Sequence, residues 1–398
     1  MLVTAPSVKG CLYQISTNTC NPGIGGFPAG VDLTTRNLTT VGGAVSLRSD
    51  GSTDQLAFYK GSANHKTACS SILTAATGIG ADSSDVFYIH DLPMTSRAER
   101  RRRVVEGETW IDEWRAVMQR LNWEVYVTPG IPIVTPDRPA GVRETYFQAM
   151  ASTLIYGGED AVLVDAFMTV KQANVLADWV ASKGKNLTTI YITHGHGDHW
   201  FGVGTLLERF PNARAAAMPN AVEVMRRNAS PEALHGVWEA AFPNQIPDRL
   251  VIAEELQGSA IDLEGQELTA VEVGHTDTDH TTCLHVPSIG LVVAGDAAYN
   301  DVHLYLAESN AQKRQEWIAA LDKIESLNPR AVVASHKRPE NDDDPKIIEE
   351  TRQYIRDFDR LTETTRTAQE LYDKMLELYP TRINPGWALW SSARAAKP

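Results

Sequence analysis

Residues 193–200 read Thr-His-Gly-His-Gly-Asp-His-Trp, which puts three imidazoles and one carboxylate (His194, His196, Asp198 and His199) within six positions. Directly before them runs the apolar, β-branched stretch 187–192 (Leu-Thr-Thr-Ile-Tyr-Ile), which reads as a buried strand. Directly after them, Leu206, Leu207 and Phe210 recur at helical spacing. The cluster therefore falls on a strand-to-helix loop, where a rigid scaffold can aim several side chains at one point. Gly195 and Gly197 are expected to allow a tight turn and to keep bulk away from whatever the imidazoles face. A solvated polar loop would account for a lone His-x-His. His-x-His-x-Asp-His at a strand end is more specific, and imidazole with carboxylate suits zinc and other first-row divalent ions. The stretch reads as a metal site.

The remainder of the chain sets limits on this reading. With 398 residues, 43% of them hydrophobic and 22% charged, it can hold two domains, or one large domain with extensions, around a substantial core. A net charge of −13 argues against non-specific binding to nucleic acid or to an anionic membrane. No run of about 18 apolar residues occurs, so no transmembrane helix is expected. Residues 1–10 lack the charged start and apolar core of a signal peptide, which makes a cytoplasmic location the expectation. Cys11, Cys20, Cys69 and Cys283 form no Cys-x-x-Cys pair, hence neither a zinc finger nor a disulfide framework.

Residues 1–93 are rich in Gly, Ser, Thr and Asn and carry no chemical motif; short strands are expected at 41–47 and 55–59. Ser96-Arg-Ala-Glu99 matches a capping box, so a linker helix is expected over 94–122. From Trp123 the pattern turns α/β. Strands are expected at 124–128, 131–135, 151–156, 161–164, 187–192, 215–218, 250–253, 267–273, 282–286, 291–294 and 331–334. Helices are expected at 170–182, 221–227, 231–242 and 312–327, with a helical extension over 341–398. Leu361, Leu371, Met375 and Leu378 are expected to dock that extension on the domain or on a second subunit. The helical pieces between 221 and 242 either cover the site or serve packing alone.

Three more polar residues stand just past expected strands: His275 after 267–273, Asp296 after 291–294, and His336 after 331–334. Asp165 similarly closes 161–164. With these motifs the chain resembles the metallo-β-lactamase superfamily over about residues 123–340. The resemblance implies an αββα sandwich, two face-to-face sheets with helices outside and the site at the sandwich edge. It implies one metal held by His194, His196 and His275 and another by Asp198, His199 and His336, with Asp296 bridging and Asp165 orienting ligands.

Two close dications lower the pKa of a shared water and polarise a carbonyl or phosphoryl oxygen, so no Ser or Cys nucleophile is required. The β-lactamases proper lack the His199 and Asp296 pair in this form, and several use a cysteine ligand. Flavo-diiron oxidoreductases have Glu where this chain has His196, and the nuclease branches usually add a basic RNA-binding module at odds with an acidic chain. The resemblance therefore narrows to the branch of glyoxalase II, acyl-homoserine lactone lactonases and many uncharacterised hydrolases. Tyr299 follows Asp296 by three, as in those lactonases, where a phenol can donate to a developing oxyanion. Their Gly-His-Ser-Pro-Gly-His appears here as Gly274-His275-Thr-Asp-Thr-Asp-His280, with Asp277 in place of Pro.

The expectation is a hydrolase that cleaves an ester, lactone or thioester of a small molecule by metal-bound hydroxide, with Asp198 and Tyr299 as catalytic residues. Its cofactors are two divalent ions, zinc first, with Mn2+ and Fe2+ as alternatives. A phosphodiesterase, a β-lactamase-like amidase and a non-catalytic metal-retaining binding protein are the competing readings. The sequence leaves the oligomeric state open, a dimer included.

Overall fold

The computed structural model describes residues 121–398 together with two short strands near the N-terminus, β1 (Cys11–Gln14) and β2 (Thr19–Pro22). These two pair antiparallel, Tyr13 opposite Cys20, within a unit separate from the one formed by residues 119–398. The strands expected at 41–47 and 55–59 and the linker helix lie outside the described residues.

In the larger unit two sheets form. The first runs in the order β3 (Asn122–Thr128), β4 (Met150–Tyr156), β5 (Asp160–Val164), β6 (Asn186–Ile192), β7 (Arg214–Ala217) and β8 (Glu254–Glu255). The second runs β13 (Ala331–Lys337), β12 (Leu291–Asn300), β11 (Thr281–Val286), β10 (Gln266–Gly274) and β9 (Ala260–Leu263). In the first sheet β5, β6, β7 and β8 pair in parallel, and in the second only β12 and β13 do. Mixed sheets with helices outside make the αββα sandwich.

Side-chain alternation explains why both sheet faces are buried. Along β5, Ala161 and Leu163 enter the core under the outer helices, while Val162 and Val164 enter the core between the sheets. In the second sheet Leu291 and Val293 of β12 and Ala331 and Val333 of β13 face inward, and Val292, Ala294, Val332 and Ala334 face the opposite helical layer. A one-residue slip in any of these strands would exchange the two cores. On the first sheet packs α1 (Val170–Ser182), opened by a capping box from Thr169 and Gln172. On the second pack α2 (Ala311–Ser326), α3 (Ile347–Thr364), α4 (Ala368–Leu378) and α5 (Ala388–Ala396). The C-terminal helices thus complete the domain: Leu361, Leu371 and Met375 share a core with β12 and β13, whereas Leu378 is exposed.

Two local expectations differ, and a third element forms with a local irregularity. Residues 131–135 form no strand, only a bridge between Pro132 and Tyr146, because Pro132 removes a ladder donor. Residues 250–253 are likewise irregular, and pairing is confined to Glu254 and Glu255. Residues 231–241 coil through a π turn at Leu234–Trp238, and Trp238 and Phe242 enter the core with Phe147 and Phe201. That is a packing role for this segment. Among the described residues no helix is long and apolar enough to cross a membrane.

Candidate metal centre

The His-Gly-His-Gly-Asp-His stretch leaves the end of β6 and enters a single helical turn, Gly197–Trp200. The two glycines are required by packing rather than by the face of the imidazoles. A Cβ on Gly195 would stand 2.4 Å from Val224 Cβ, and one on Gly197 would stand 2.3 Å from the Phe201 ring. Opposite, Asp296 lies within β12 and His336 within β13, each past the apolar run that buries the strand. Gly295 supplies a φ of +58° there, where a Cβ would lie 2.9 Å from Thr193.

Among the described residues three sets of donors have ligand atoms within 4.8 Å of one another: His194, His196 and Asp277; His194, His199 and Asp296; Asp198, His199 and His336. They overlap through His194 and His199, so the sets form one continuous cluster. His199 Nε2 stands 3.3 Å from Asp198 Oδ2 and 3.4 Å from Asp296 Oδ1, and His336 Nε2 stands 3.1 Å from Asp296 Oδ2. Of the expected ligands, His275 is in none of these sets; Asp277, two residues on, is.

Each histidine is held by the nitrogen that points away from the cluster. Asp165 Oδ2 accepts from His199 Nδ1 at 2.8 Å, the carbonyl of Ala149 accepts from His336 Nδ1 at 3.0 Å, and Asp279 accepts from His275 Nδ1 at 2.7 Å. Thr193 Oγ1 gives its proton to Asp165, so it accepts from His194 Nδ1 at 3.1 Å. Glu308 Oε1 accepts from His196 Nε2 at 3.0 Å. Carboxylates and carbonyls only accept, so the tautomers follow. In the neutral rings the remaining lone pairs are Nε2 of His194, His199, His275 and His336, and Nδ1 of His196. Outer partners of this kind fix ring orientation and raise ligand basicity.

Several atoms of the cluster are buried with no hydrogen-bond partner: Nε2 of His194, His199 and His275, Oδ2 of Asp277 and Oδ1 of Asp296. Orphaned buried polar atoms are rare in proteins and costly, by about 1–3 kcal/mol each. Five in one place, all of metal-ligating type, fit a cation-binding site. Electrostatics agrees. Burial disfavours charge on His199, but Asp198, Asp296 and Asp165 outweigh it and hold that imidazole well above its usual pKa. His336 is opposed by burial yet pushed up to about 10 by Asp296 and Asp198. For Asp198, Asp277 and Asp296, burial is outweighed by the neighbouring histidines, and all three carboxyls stay well below the ordinary range. Without a cation the carboxylates would draw protons onto the rings; with one, they would stabilise it.

Two tyrosines border the cluster. Tyr299, stacked on His336 with ring centroids 5.2 Å apart, donates its phenol proton to Asp296 Oδ2 at 2.8 Å. Tyr305 meets His196 edge-on at 6.0 Å and is only partly buried. Sequence reasoning passed over Asp277, Asp279, Glu308 and Tyr305. For the first two the signal was present as acidic replacements inside a His-containing loop, whereas Glu308 and Tyr305 lie in an irregular segment without a pattern.

The chain is a mixed-sheet α/β sandwich carrying a cluster of His and Asp side chains that could hold a metal ion. Residues 149–336 match the sequence model of the metallo-beta-lactamase superfamily, and this part of the chain belongs to that superfamily. A 64-residue stretch is 36% identical to hydroxyacylglutathione hydrolase of Francisella tularensis subsp. novicida, covering 16% of this chain and 24% of that relative. The chain thus matches about a quarter of the length of this curated relative. Among solved structures, a metallo-beta-lactamase family protein from Thermus thermophilus is similar at 20% identity, with a TM-score of 0.47 over 68% of this chain and 91% of that one. A metallo-beta-lactamase from Pontibacter korlensis is similar at 14% identity, with a TM-score of 0.42 over 58% and 99%.

Proposed function

We propose that this protein is a hydrolase with two divalent metal ions that cleaves an ester, lactone or thioester bond in a small molecule. The observation that supports the reading is the overlap of the three donor sets through His194 and His199, which joins the donors into one continuous cluster. His194, His196 and His275 are assigned to one ion and Asp198, His199 and His336 to the other, with Asp296 between. When bound, such a pair supplies water activated to hydroxide near neutral pH and a Lewis acid for the carbonyl oxygen. Zinc is the first choice, with Mn2+ and Fe2+ as alternatives.

The chain's own residues do the rest. Asp165 takes hydrogen bonds from Thr193, His199 and Ser335 and so locks the ends of β6 and β13 to one carboxylate. Tyr299 orients Asp296; with its hydroxyl engaged there, the phenol acts on substrate only if that bond opens. The short match to a hydroxyacylglutathione hydrolase favours acyl substrates within the set. A cytoplasmic location belongs to the same reading.

Elemental analysis of protein purified without chelator, combined with turnover on a panel of esters, lactones, thioesters, phosphodiesters and a β-lactam, tests the proposal. Metal-dependent turnover of an acyl ester, lactone or thioester is the expected result. Turnover confined to phosphodiesters or β-lactams would transfer the reading to those reactions, and two bound metals with no turnover on any of them would leave a binding protein.

A further inference from the structure

The loop between β10 and β11 carries an acidic residue that the fold buries completely. Asp277 is fully buried, and its two oxygens have different fates. Thr276 Oγ1 donates to Oδ1 at 2.8 Å, and a bond from Thr276 N to the carbonyl of Thr278 at 2.9 Å tightens the loop that presents the carboxylate. Oδ2 has no hydrogen-bond partner, yet it stands 2.7 Å from His196 Nδ1 and 3.5 Å from His194 Nε2.

The geometry at His196 is the telling part. Its Nε2 faces Glu308 at 3.0 Å, and Glu308 is itself held by Thr278 Oγ1 at 2.8 Å. A neutral imidazole has a single N–H. Spent on Glu308, it leaves the Nδ1 lone pair facing the Asp277 Oδ2 lone pair at a distance that repels. A proton relieves that repulsion only by placing an imidazolium in a buried site. A divalent ion relieves it by accepting both lone pairs, and His194 Nε2 points at the same place.

We propose that Asp277 Oδ2 is a ligand of the metal held by His194 and His196. The inference rests on the metal-site reading above and deepens it. The ion then has two imidazoles and a carboxylate as protein donors, with His275 Nε2, two residues earlier in the same loop and buried without a partner, as the further candidate. A carboxylate beside two histidines makes this position harder than an all-imidazole one, and so better suited to Mn2+ or Fe2+. It also changes the charge of the centre. Two dications against Asp198 and Asp296 leave a surplus of two positive charges, and Asp277 reduces it to one, which weakens the draw on anionic substrates.

The test uses full-length protein stripped with chelator and titrated with Mn2+, Zn2+ and Co2+ against a competing chelator, for wild type, Asp277→Asn and Asp277→Ser. Folding is checked by circular dichroism, and the serine variant serves if the amide is not tolerated in the loop. Wild type should take up two ions. Both variants should keep one ion at wild-type affinity and bind the other at least about tenfold more weakly, the lower end of what even an outer-shell change costs. The loss should be larger for Mn2+ than for Zn2+, and the Co2+ ligand-field spectrum of the weakened site should change. Wild-type affinity at both sites would overturn the proposal. So would weaker binding with an unchanged Co2+ spectrum, since a carboxylate acting only through its charge gives that result. No metal uptake by wild type would instead overturn the metal-site reading itself.

Discussion

Replacing Asp165 by Asn is the most informative single change outside the metal ligands. The residue is fully buried and gathers hydrogen bonds from Thr193 N at 3.0 Å, Ser335 Oγ at 2.8 Å and His199 Nδ1 at 2.8 Å, besides the Thr193 hydroxyl. Its backbone has a φ of +63°, which Asn tolerates as readily as Asp, so the variant probes the side chain and not the turn. An amide keeps one acceptor oxygen and presents two N–H donors, so one of the two sides must face donor against donor. Losing a hydrogen bond to a charged group costs about 1.5–3 kcal/mol, and the stranded buried donor adds about 1–3 kcal/mol. A total of roughly 2.5–6 kcal/mol in a unit of this size lowers Tm by about 4–10 °C. Metal affinity should fall about 10–100-fold, because His199 loses the group that fixes its tautomer. Calorimetry of chelator-treated protein reads the first effect, and competition titration reads the second. If affinity stays at the wild-type value while Tm drops, Asp165 is a structural tie between sheets and does not orient a ligand.

Three further outcomes are expected. Tyr299→Phe removes the donor to Asp296 but keeps the ring on His336, so kcat should drop roughly tenfold with both metals retained, and unchanged kcat on a chemically limited substrate would make Tyr299 a packing residue. Despite burial, the neighbouring carboxylates raise the imidazoles of His196, His199 and His336 above their usual pKa, so metal uptake should release protons and apparent affinity should rise with pH; calorimetric titration in buffers of different ionisation enthalpy would expose the absence of such release. His303 is pushed down to about 3 by burial and by Arg382, so it is neutral in the fold and gains a proton on unfolding below its ordinary value of about 6.5. Its stability contribution is therefore present above that value and is lost as pH falls, by about 2 kcal/mol at pH 5. In chelator-treated protein, denaturant titrations of His303→Gln should lack that part of the pH dependence.

The sandwich was legible because nearly every strand in its centre is apolar on both faces. β5, β6, β12 and β13 stand out as short Val/Ile/Ala-rich runs ending in a polar residue, and the polar residue is what the site uses. Pattern failed at the periphery: β8 has two residues, and residues 131–135 look strand-like but contain Pro132. The His-rich loop could be placed from local sequence alone. Which donors converge on it could not, because Asp277 and Glu308 reach His196 from segments 81 and 112 residues away, and only the packing of the second sheet brings them there. Local sequence therefore pointed to a candidate metal site and marked Asp277 as a departure in the His275 loop, while only the three-dimensional fold shows its carboxylate facing His196.

The central claim, two metal ions in one continuous cluster, is tested most directly by elemental analysis of protein purified without chelator and then supplied with zinc or manganese. The account predicts two ions per chain. It also predicts that Asp296→Ala impairs both positions, since that one carboxylate faces His199 at 3.4 Å and His336 at 3.1 Å. A stoichiometry fixed at one, unmoved by added zinc or manganese, would contradict it.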